Sequence, residues 1–314
     1  MKVIYSGRYE IDIGAHVFPV RKYRLVYARL LESGAISLSD VIEPQVARWD
    51  QLALVHTREY LDKMRAGAMT PEELAQLELP WSAEMVDGFR TMVGGTIQAA
   101  QIACRLEVRS SKSEGGSGSE SFQAVAHIGG GLHHAFANHG EGFCPFNDVA
   151  VAVRVLQAHG LERVAIIDLD VHHGNGTAFI FESDPRVFTF SMHQQYNYPE
   201  WKPRGSLDIG LPDGADDAGF LRHLKEALPE VMAFGPHCVF YLAGADPYED
   251  DQLGGLRLTR QGLRARDRMV IETVYRAGIP LVITLAGGYA RRVEDTVAIH
   301  VATIEEAVRI SKAS

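Results

Sequence analysis

The stretch RVAIIDLDVHHGNGT, residues 163–177, constrains this chain more than any other segment. Arg163 to Ile167 is a compact, β-branched apolar run between a Gly-Leu-Glu turn and later glycines, the pattern of a short buried strand. The run then delivers Asp168, Asp170 and His172 in alternation. Side chains two apart on an extended chain share a face, so these three are expected together at the carboxyl end of the strand. In an open parallel sheet that end is where ligands bind. Two carboxylates and an imidazole crowded there repel or stay unsatisfied unless a cation sits among them. The segment therefore predicts a divalent metal site.

The rest of the chain alternates in the same style. Strands are predicted over 2–5, 124–128, 187–191, 238–242 and 281–285. Helices are predicted over 22–33, 57–66, 83–105, 148–159, 218–234, 259–277 and 293–310, with a helical turn at 178–182. Connections of crossover length between strands point to an α/β fold: one domain spanning 1–314, an open, mainly parallel sheet with helices on both faces. No internal repeat interrupts it. The low-complexity segment at about 109–121, RSSKSEGGSGSES, reads as a flexible surface insertion within this pattern, with a lid as the alternative. The polar-aromatic loop His16 to Tyr23 admits two readings, surface decoration or a pocket wall. Gln194 to Asp208, with Tyr196, Tyr198 and Trp201, reads as a long loop at a pocket mouth.

A net charge of −9 disfavours nucleic acid and anionic membrane as partners, which leaves small molecules or basic peptides. The amino terminus carries no apolar run of signal-peptide length, and no stretch reaches membrane-spanning length. Three widely spaced cysteines without a CxxC pair argue against both a disulfide framework and a zinc knuckle. A cytoplasmic protein is expected.

Four strand ends carry chemistry-bearing residues: His133 and His134, then Asp168, Asp170 and His172, then Asp246, then Tyr289. Sequential βα units gather such ends at one edge of the sheet. Asp170, His172 and Asp246 form the expected ligand set, which leaves coordination positions open as catalytic zinc does and also suits Fe²⁺. A hydrolytic site then needs a proton acceptor, which the histidine pair supplies, and a donor to a developing oxyanion, which Tyr289 supplies. Asp168 is left to orient a histidine, and His173 and His193 read as residues that support the ligands from behind or line the wall.

At these residues the chain resembles the zinc-dependent histone deacetylase family, including its bacterial members named for acetoin utilisation and acetylpolyamine hydrolysis. The matching stretches are GGGLHHA at 129–135, GEGFCPFND at 140–148, IDLDVHHGNGT at 167–177, AGAD at 243–246, LGG at 253–255 and AGGY at 286–289. HVFPVRKYRLV and the PWS at 80–82 are most similar to the class IV and related bacterial branch. The resemblance implies Asp170, His172 and Asp246 as zinc ligands and His134 as general base and acid. His133 would be its electrostatic partner, held by Asp168, and Tyr289 the donor to the acetyl oxygen. It also implies Gly142 and Phe143 as walls of an acyl-lysine channel, with Tyr198 opposite, and a structural K⁺ near Asp168 and Ser191.

Against the class I pattern, Asn175 replaces an aspartate beside the second histidine, which should make His134 less basic. Lys22 replaces an internal arginine, and Leu79 falls at a substrate-gripping rim aspartate. Leu253 stands where polyamine-specific members carry an acidic gatekeeper. The arginase relatives need a further bridging carboxylate where this chain has Gly174, which argues against a binuclear site. The expected activity is removal of an acetyl or other acyl group from the lysine ε-amine of a protein or peptide. The alternatives are deacylation of small acetylamides such as acetylpolyamines, and non-catalytic acyl-lysine binding. Oligomeric state stays open.

Overall fold

The computed structural model describes residues 1–106 and 123–312, so the Ser/Gly-rich segment expected at 109–121 lies outside the described residues. The amino-terminal half contains β1 (Lys2–Ile4), α1 (Lys22–Glu32), β2 (Val41–Ile42), α2 (Trp49–Leu52), α3 (Arg58–Ala66), α4 (Pro71–Leu77), α5 (Ala83–Ala103), β3 (Ala124–His127) and α6 (Asp148–Ala158). There follow β4 (Val164–Asp168), α7 (Asn175–Phe181), β5 (Val187–Gln194), β6 (Leu207–Leu211), α8 (Asp217–Ala233), β7 (Cys238–Leu242), α9 (Arg260–Arg276), β8 (Leu281–Thr284) and α10 (Val293–Lys312).

The strands form one eight-stranded sheet in the order β2-β1-β3-β8-β7-β4-β5-β6, and all seven pairings are parallel. Every residue of β3, β4, β7 and β8 is buried, as a sheet covered on both faces requires. The helices pack as two groups, α5 with α6 on one hand and α1, α10, α9 and α8 in succession on the other. Among the described residues no helix is long and apolar enough to cross a membrane.

Most helices begin where a short polar side chain can accept a first-turn N–H, as Thr57, Thr70, Ser82, Asn147, Asp216 and Thr259 do. Four elements depart from the sequence reading, one of them the single-turn helix α2, which no predicted helix covers. The expected loop at 194–208 gives way at its end to β6, an edge strand whose alternating exposure follows Leu207, Ile209 and Leu211. The helix α4 was not anticipated, although Thr70-Pro71 with Glu73 is a capping box with proline at the first helical position. The two-residue strand β2 is too short to leave a period in the sequence.

The packing of α9 against α10 is pinned by one carboxylate. Glu306 is fully buried and accepts from Arg264 Nε (2.6 Å), Arg268 Nε (3.2 Å) and Arg309 Nε (3.0 Å). Burial alone would raise its pKa, but the three guanidinium groups override that and hold it down to about 2. Glu306→Ala should therefore destabilise the fold by about 1–3 kcal/mol, the lower part of the buried-pair range because the arginines are half exposed. Since the folded-state pKa lies below the ordinary value of 4.5, this contribution is complete above that pH and fades as pH falls toward 2. Urea denaturation of both proteins at pH 7 and pH 3 checks it, the difference between them shrinking at the lower pH.

Candidate active site

The loops that carry the chemistry follow β3, β8, β7 and β4, which are consecutive neighbours in the sheet. Their carboxyl ends therefore lie side by side at one edge, the arrangement expected of an α/β ligand site. His133 and His134 arrive after β3, Tyr289 after β8, Asp246 after β7, and Asp170 and His172 after β4.

The alternation expected along residues 168–172 holds only to the strand's end. β4 stops at Asp168, and a turn takes over in which Asp168 Oδ1 accepts from Asp170 N (3.2 Å) and Asp170 Oδ1 accepts from His172 N (3.0 Å). That turn aims Asp170 and His172 at Asp246 and sends Asp168 toward the histidine pair. Nδ1 of His172 lies 3.0 Å from Asp170 Oδ1 and 3.5 Å from Asp246 Oδ2, and one donor atom from each residue falls within 4.8 Å of the others. All three are buried.

Two observations say this cluster suits a cation. Asp246 Oδ2 is buried with no hydrogen-bond partner among the described residues, a costly arrangement for a carboxylate oxygen unless a positive group completes it. The backbone also leaves room around the carboxylates: a Cβ on Gly287 would fall 1.9 Å from Asp246 Oδ2, and one on Gly244 2.6 Å from Asp170 Oδ2. One nitrogen and two carboxylate oxygens from the protein match an open catalytic site for Zn²⁺ and also admit Fe²⁺. Burial alone would lower the pKa of His172, but Asp170 and Asp246 hold it up to about 10, so this pair of anions favours a positive partner. Gly174, where a bridging carboxylate would stand in a two-metal site, has no room for one, since even a Cβ would meet Asp168 Oδ2 at 2.5 Å.

Behind the cluster the histidines are ordered in series. Asp168 Oδ2 accepts from His133 Nδ1 (2.7 Å), the two Nε2 atoms of His133 and His134 lie 3.1 Å apart, and His134 Nδ1 donates to Asn175 Oδ1 (2.7 Å). Burial would lower both histidines, yet Asp168 and Asp170 hold His133 up to about 9. His134 has no such anion beside it; burial and the neighbouring imidazoles push it well below its ordinary value. The hydrogen bond to Asn175 works the other way, raising it, without overcoming burial and the imidazoles.

Tyr289 is buried and its hydroxyl has no hydrogen-bond partner among the described residues. Burial first, then Asp170 and Asp246, push its pKa well above 10, so the phenol keeps its proton and can donate it. A narrow cavity of about 20 Å³ is shared by His133, His134, Gly142, Phe143, Asp170, His172 and Tyr289. Gly142 adopts φ +52° and a Cβ there would press on His134 and Tyr198, while Phe143 itself sits at φ +66°, a conformation uncommon for an aromatic residue. The Tyr198 ring stands 5.0 Å from that of His134. Phe143 is stacked on its other side by Phe18, at 6.2 Å and 8°. The 16–23 loop is therefore a pocket wall, not decoration. Lys22 is buried beneath it, donating to Ala286 O (2.8 Å) with its ammonium 5.6 Å from the Tyr289 ring. Leu79, expected at the rim, is instead buried, and the exposed carboxylate of that turn is Glu78. His173 and His193 contact each other at 4.7 Å and do not line the cavity, so the wall reading does not hold for them.

The sequence profile of the histone deacetylase domain matches residues 16–304. This chain belongs to the histone deacetylase family. It is 43% identical over 304 residues to an uncharacterised protein of Picosynechococcus sp., with 95% of each chain covered. It is 32% identical to histone deacetylase 2 of Arabidopsis thaliana, covering 93% of this chain and 75% of that one. The acetoin utilization protein AcuC of Bacillus subtilis is also 32% identical, over 82% of this chain and 68% of the other. In three dimensions the crystal structure of the HDA15 HD domain superposes with a TM-score of 0.77, covering 98% of this chain and 88% of that one at 23% identity, a likeness of fold.

Three supporting residues escaped sequence reading. Asp148, read as a helix start, is fully buried and accepts from Leu132 N (2.7 Å) and Gly131 N (3.0 Å), which fixes the loop that carries His133 and His134. Arg266, also fully buried, donates to Gly244 O (2.6 Å) and Leu169 O (3.2 Å) beneath the two ligand loops. Asp251 accepts from Tyr289 N (2.7 Å). Each lies far in sequence from what it holds, and only Asp148 falls inside a family-like motif.

The contact at Gly287 generates a test of the histone deacetylase cluster. Gly287→Ala should lower divalent-metal affinity by roughly ten- to a hundredfold while the far-ultraviolet circular dichroism stays that of the parent. Titration calorimetry with Zn²⁺ checks it; parental affinity would mean that Asp170 and Asp246 do not act together on one ion.

Proposed function

We propose that this chain is a single-domain, zinc-dependent amidohydrolase that removes acetyl, or another acyl group, from the lysine ε-amine of a protein or peptide. The observation that carries the reading is the convergence of a metal-capable Asp170, His172 and Asp246 cluster, a histidine pair of unequal basicity and an unpartnered, protonated phenol around one narrow cavity. A pure acyl-lysine binder needs neither a base nor an oxyanion donor.

Asp170, His172 and Asp246 would hold the ion, which when bound polarises the acyl carbonyl and acidifies the attacking water. His134 takes the water's proton at Nε2, the nitrogen on the His133 side, and afterwards returns it to the departing amine. His133, held by Asp168, faces that same nitrogen and biases the protonation of the pair. The Tyr289 hydroxyl donates to the developing oxyanion. Gly142, Phe143 and Tyr198 flank the acylated stem and keep bulk solvent, beyond the one attacking water, from the reacting carbonyl. A K⁺ held by Asp168 and Ser191, register partners on β4 and β5, belongs to the same reading, as does a cytoplasmic location.

A second reading, deacylation of small acylated amines, draws on the cleft of about 300 Å³ outside Tyr198. Glu78, Glu141 and Glu200 line it and no lysine or arginine does, which favours any substrate whose remainder is cationic. Acetate release from a fluorogenic acetyl-lysine peptide and from acetylpolyamines, compared at equal concentration with and without chelator, separates the readings. Release that the chelator abolishes and Zn²⁺ restores is expected; tight binding with no release would make the protein a reader. Tyr289→Phe should cost about a hundredfold or more in kcat, the value of one oxyanion donor, with metal content unchanged. Turnover within twofold of the parent would remove Tyr289 from the mechanism.

A further inference from the structure

We infer that Glu141 is a positioning residue for the reaction: acting through Asn175, it fixes which ring nitrogen of His134 carries the hydrogen. The inference rests on the deacylase reading for its kinetic consequence, but not for its structural one.

An asparagine amide is nearly symmetric in shape, so Asn175 alone could turn either its oxygen or its NH₂ toward His134. Its second contact removes that freedom. Asn175 Nδ2 donates to Glu141 Oε1 at 2.7 Å, and a carboxylate can only accept. The amide oxygen must then face His134, where it lies 2.7 Å from Nδ1. Because that oxygen can only accept in turn, Nδ1 of His134 carries the hydrogen and Nε2 is left with its lone pair. Nε2 is the nitrogen that faces His133, and it is the one at which the proposed chemistry takes a proton.

Glu141 is built to hold this position. Gln76 Nε2 (3.1 Å) and His139 Nε2 (3.4 Å) approach its other oxygen, and the Tyr198 hydroxyl donates to Oε1 at 3.0 Å. Its backbone is clamped in a tight turn with Cys144, N–H to carbonyl in both directions at 3.1 and 2.9 Å. These donors outweigh burial and keep the carboxyl below its ordinary pKa, hence an acceptor at neutral pH. An aspartate at 175 would orient the ring and place a negative charge directly against it. Asparagine backed by Glu141 orients the ring and sets the charge one residue farther out.

The test uses the zinc-loaded, full-length protein. Nitrogen-15 spectra of the histidine rings should show His134 as the Nδ1–H tautomer in the parent. In Glu141→Ala the amide of Asn175 is free to turn, and a substantial Nε2–H population should appear. With the preferred substrate, kcat should fall about tenfold or more while KM changes less than about threefold, the pattern of a misassigned base. Glu141→Gln keeps an acceptor for Asn175 and should recover kcat to within about threefold of the parent. In an Asn175→Ala background, Glu141→Ala should cost nothing further, because its route to His134 is gone. Glu141→Met, which keeps the bulk without the acceptor, repeats the test if Glu141→Ala does not fold. An unchanged tautomer, an equal loss in the Asn175→Ala background, or an effect confined to KM would overturn the inference. If the parent hydrolyses no acylamine at all, the functional reading fails while the tautomer still decides the role of Glu141.

Discussion

Two carboxylates, Asp170 and Asp246, lie side by side in the interior of this protein, and their mutual repulsion is the constraint around which the site is built. Buried like charges are tolerated only when each oxygen has a positive or donating partner. Asp170 Oδ2 takes the N–H of Gly287 (2.8 Å) and Asp246 Oδ1 that of Val171 (2.9 Å), so the loop after β8 is tied to an acid after β4, two strands away, and the loop after β4 to an acid after the adjacent β7. His172 sits against both acids, and the fully buried Arg266 grips the backbone of both ligand loops from below. What stays unsatisfied is Asp246 Oδ2, on the side where an ion would sit. Packing, backbone hydrogen bonds and the remaining electrostatic deficit thus point to one location.

The sheet order explains why the loops can meet there at all. Because β3, β8, β7 and β4 are adjacent, no loop needs to reach across more than a strand or two. Short glycine-rich turns then suffice, and their glycines are required by close approach and not by flexibility: a side chain at Gly287 or Gly244 would occupy the space of the ligand carboxylates. The histidine loop is anchored differently, by a buried chain in which the Tyr9 hydroxyl donates to His127, His127 Nδ1 to Thr96 Oγ1, and Thr96 to Asp148. Burial lowers the pKa of His127 to about 3, so it stays neutral and can accept from Tyr9 while donating to Thr96.

What the sequence made legible follows from this economy. Strands buried on both faces read as apolar runs, and four of them end in chemistry-bearing residues, so the α/β class and the residues that converge could be named from pattern alone. Four kinds of feature were hidden. The edge strand β6 is half exposed and opens with a polar-aromatic approach, so it read as loop. The supports Arg266 and Asp251 are distant in sequence from what they hold, and a charged residue inside an amphipathic helix or a turn carries no local sign of burial. Phe18 was open to two readings because a lone aromatic in a loop is uninformative until its stacking on Phe143 is seen. Glu141 lay within a quoted motif yet drew no role, since its function depends on an amide 34 residues away.

In the proposed mechanism the two adjacent histidines divide into base and support. They share a loop, a burial class and nearly a contact surface, yet one faces a carboxylate and the other an amide. The carboxylates near His133 favour its charged form, and the amide beside His134 leaves the neutral form favoured, which is the state a proton acceptor must start from. Pairs of titratable groups whose surroundings drive their basicities apart are how enzymes assign acid and base roles. Each ring meets an oxygen at Nδ1, a carboxylate one on Asp168 and a neutral amide one on Asn175, so the second histidine lacks the orientation that an anion would impose. A carboxylate one residue farther out restores that orientation without restoring the charge against the ring. In the proposed mechanism His134 is thus held in register by a carboxylate too remote to place its charge against the ring.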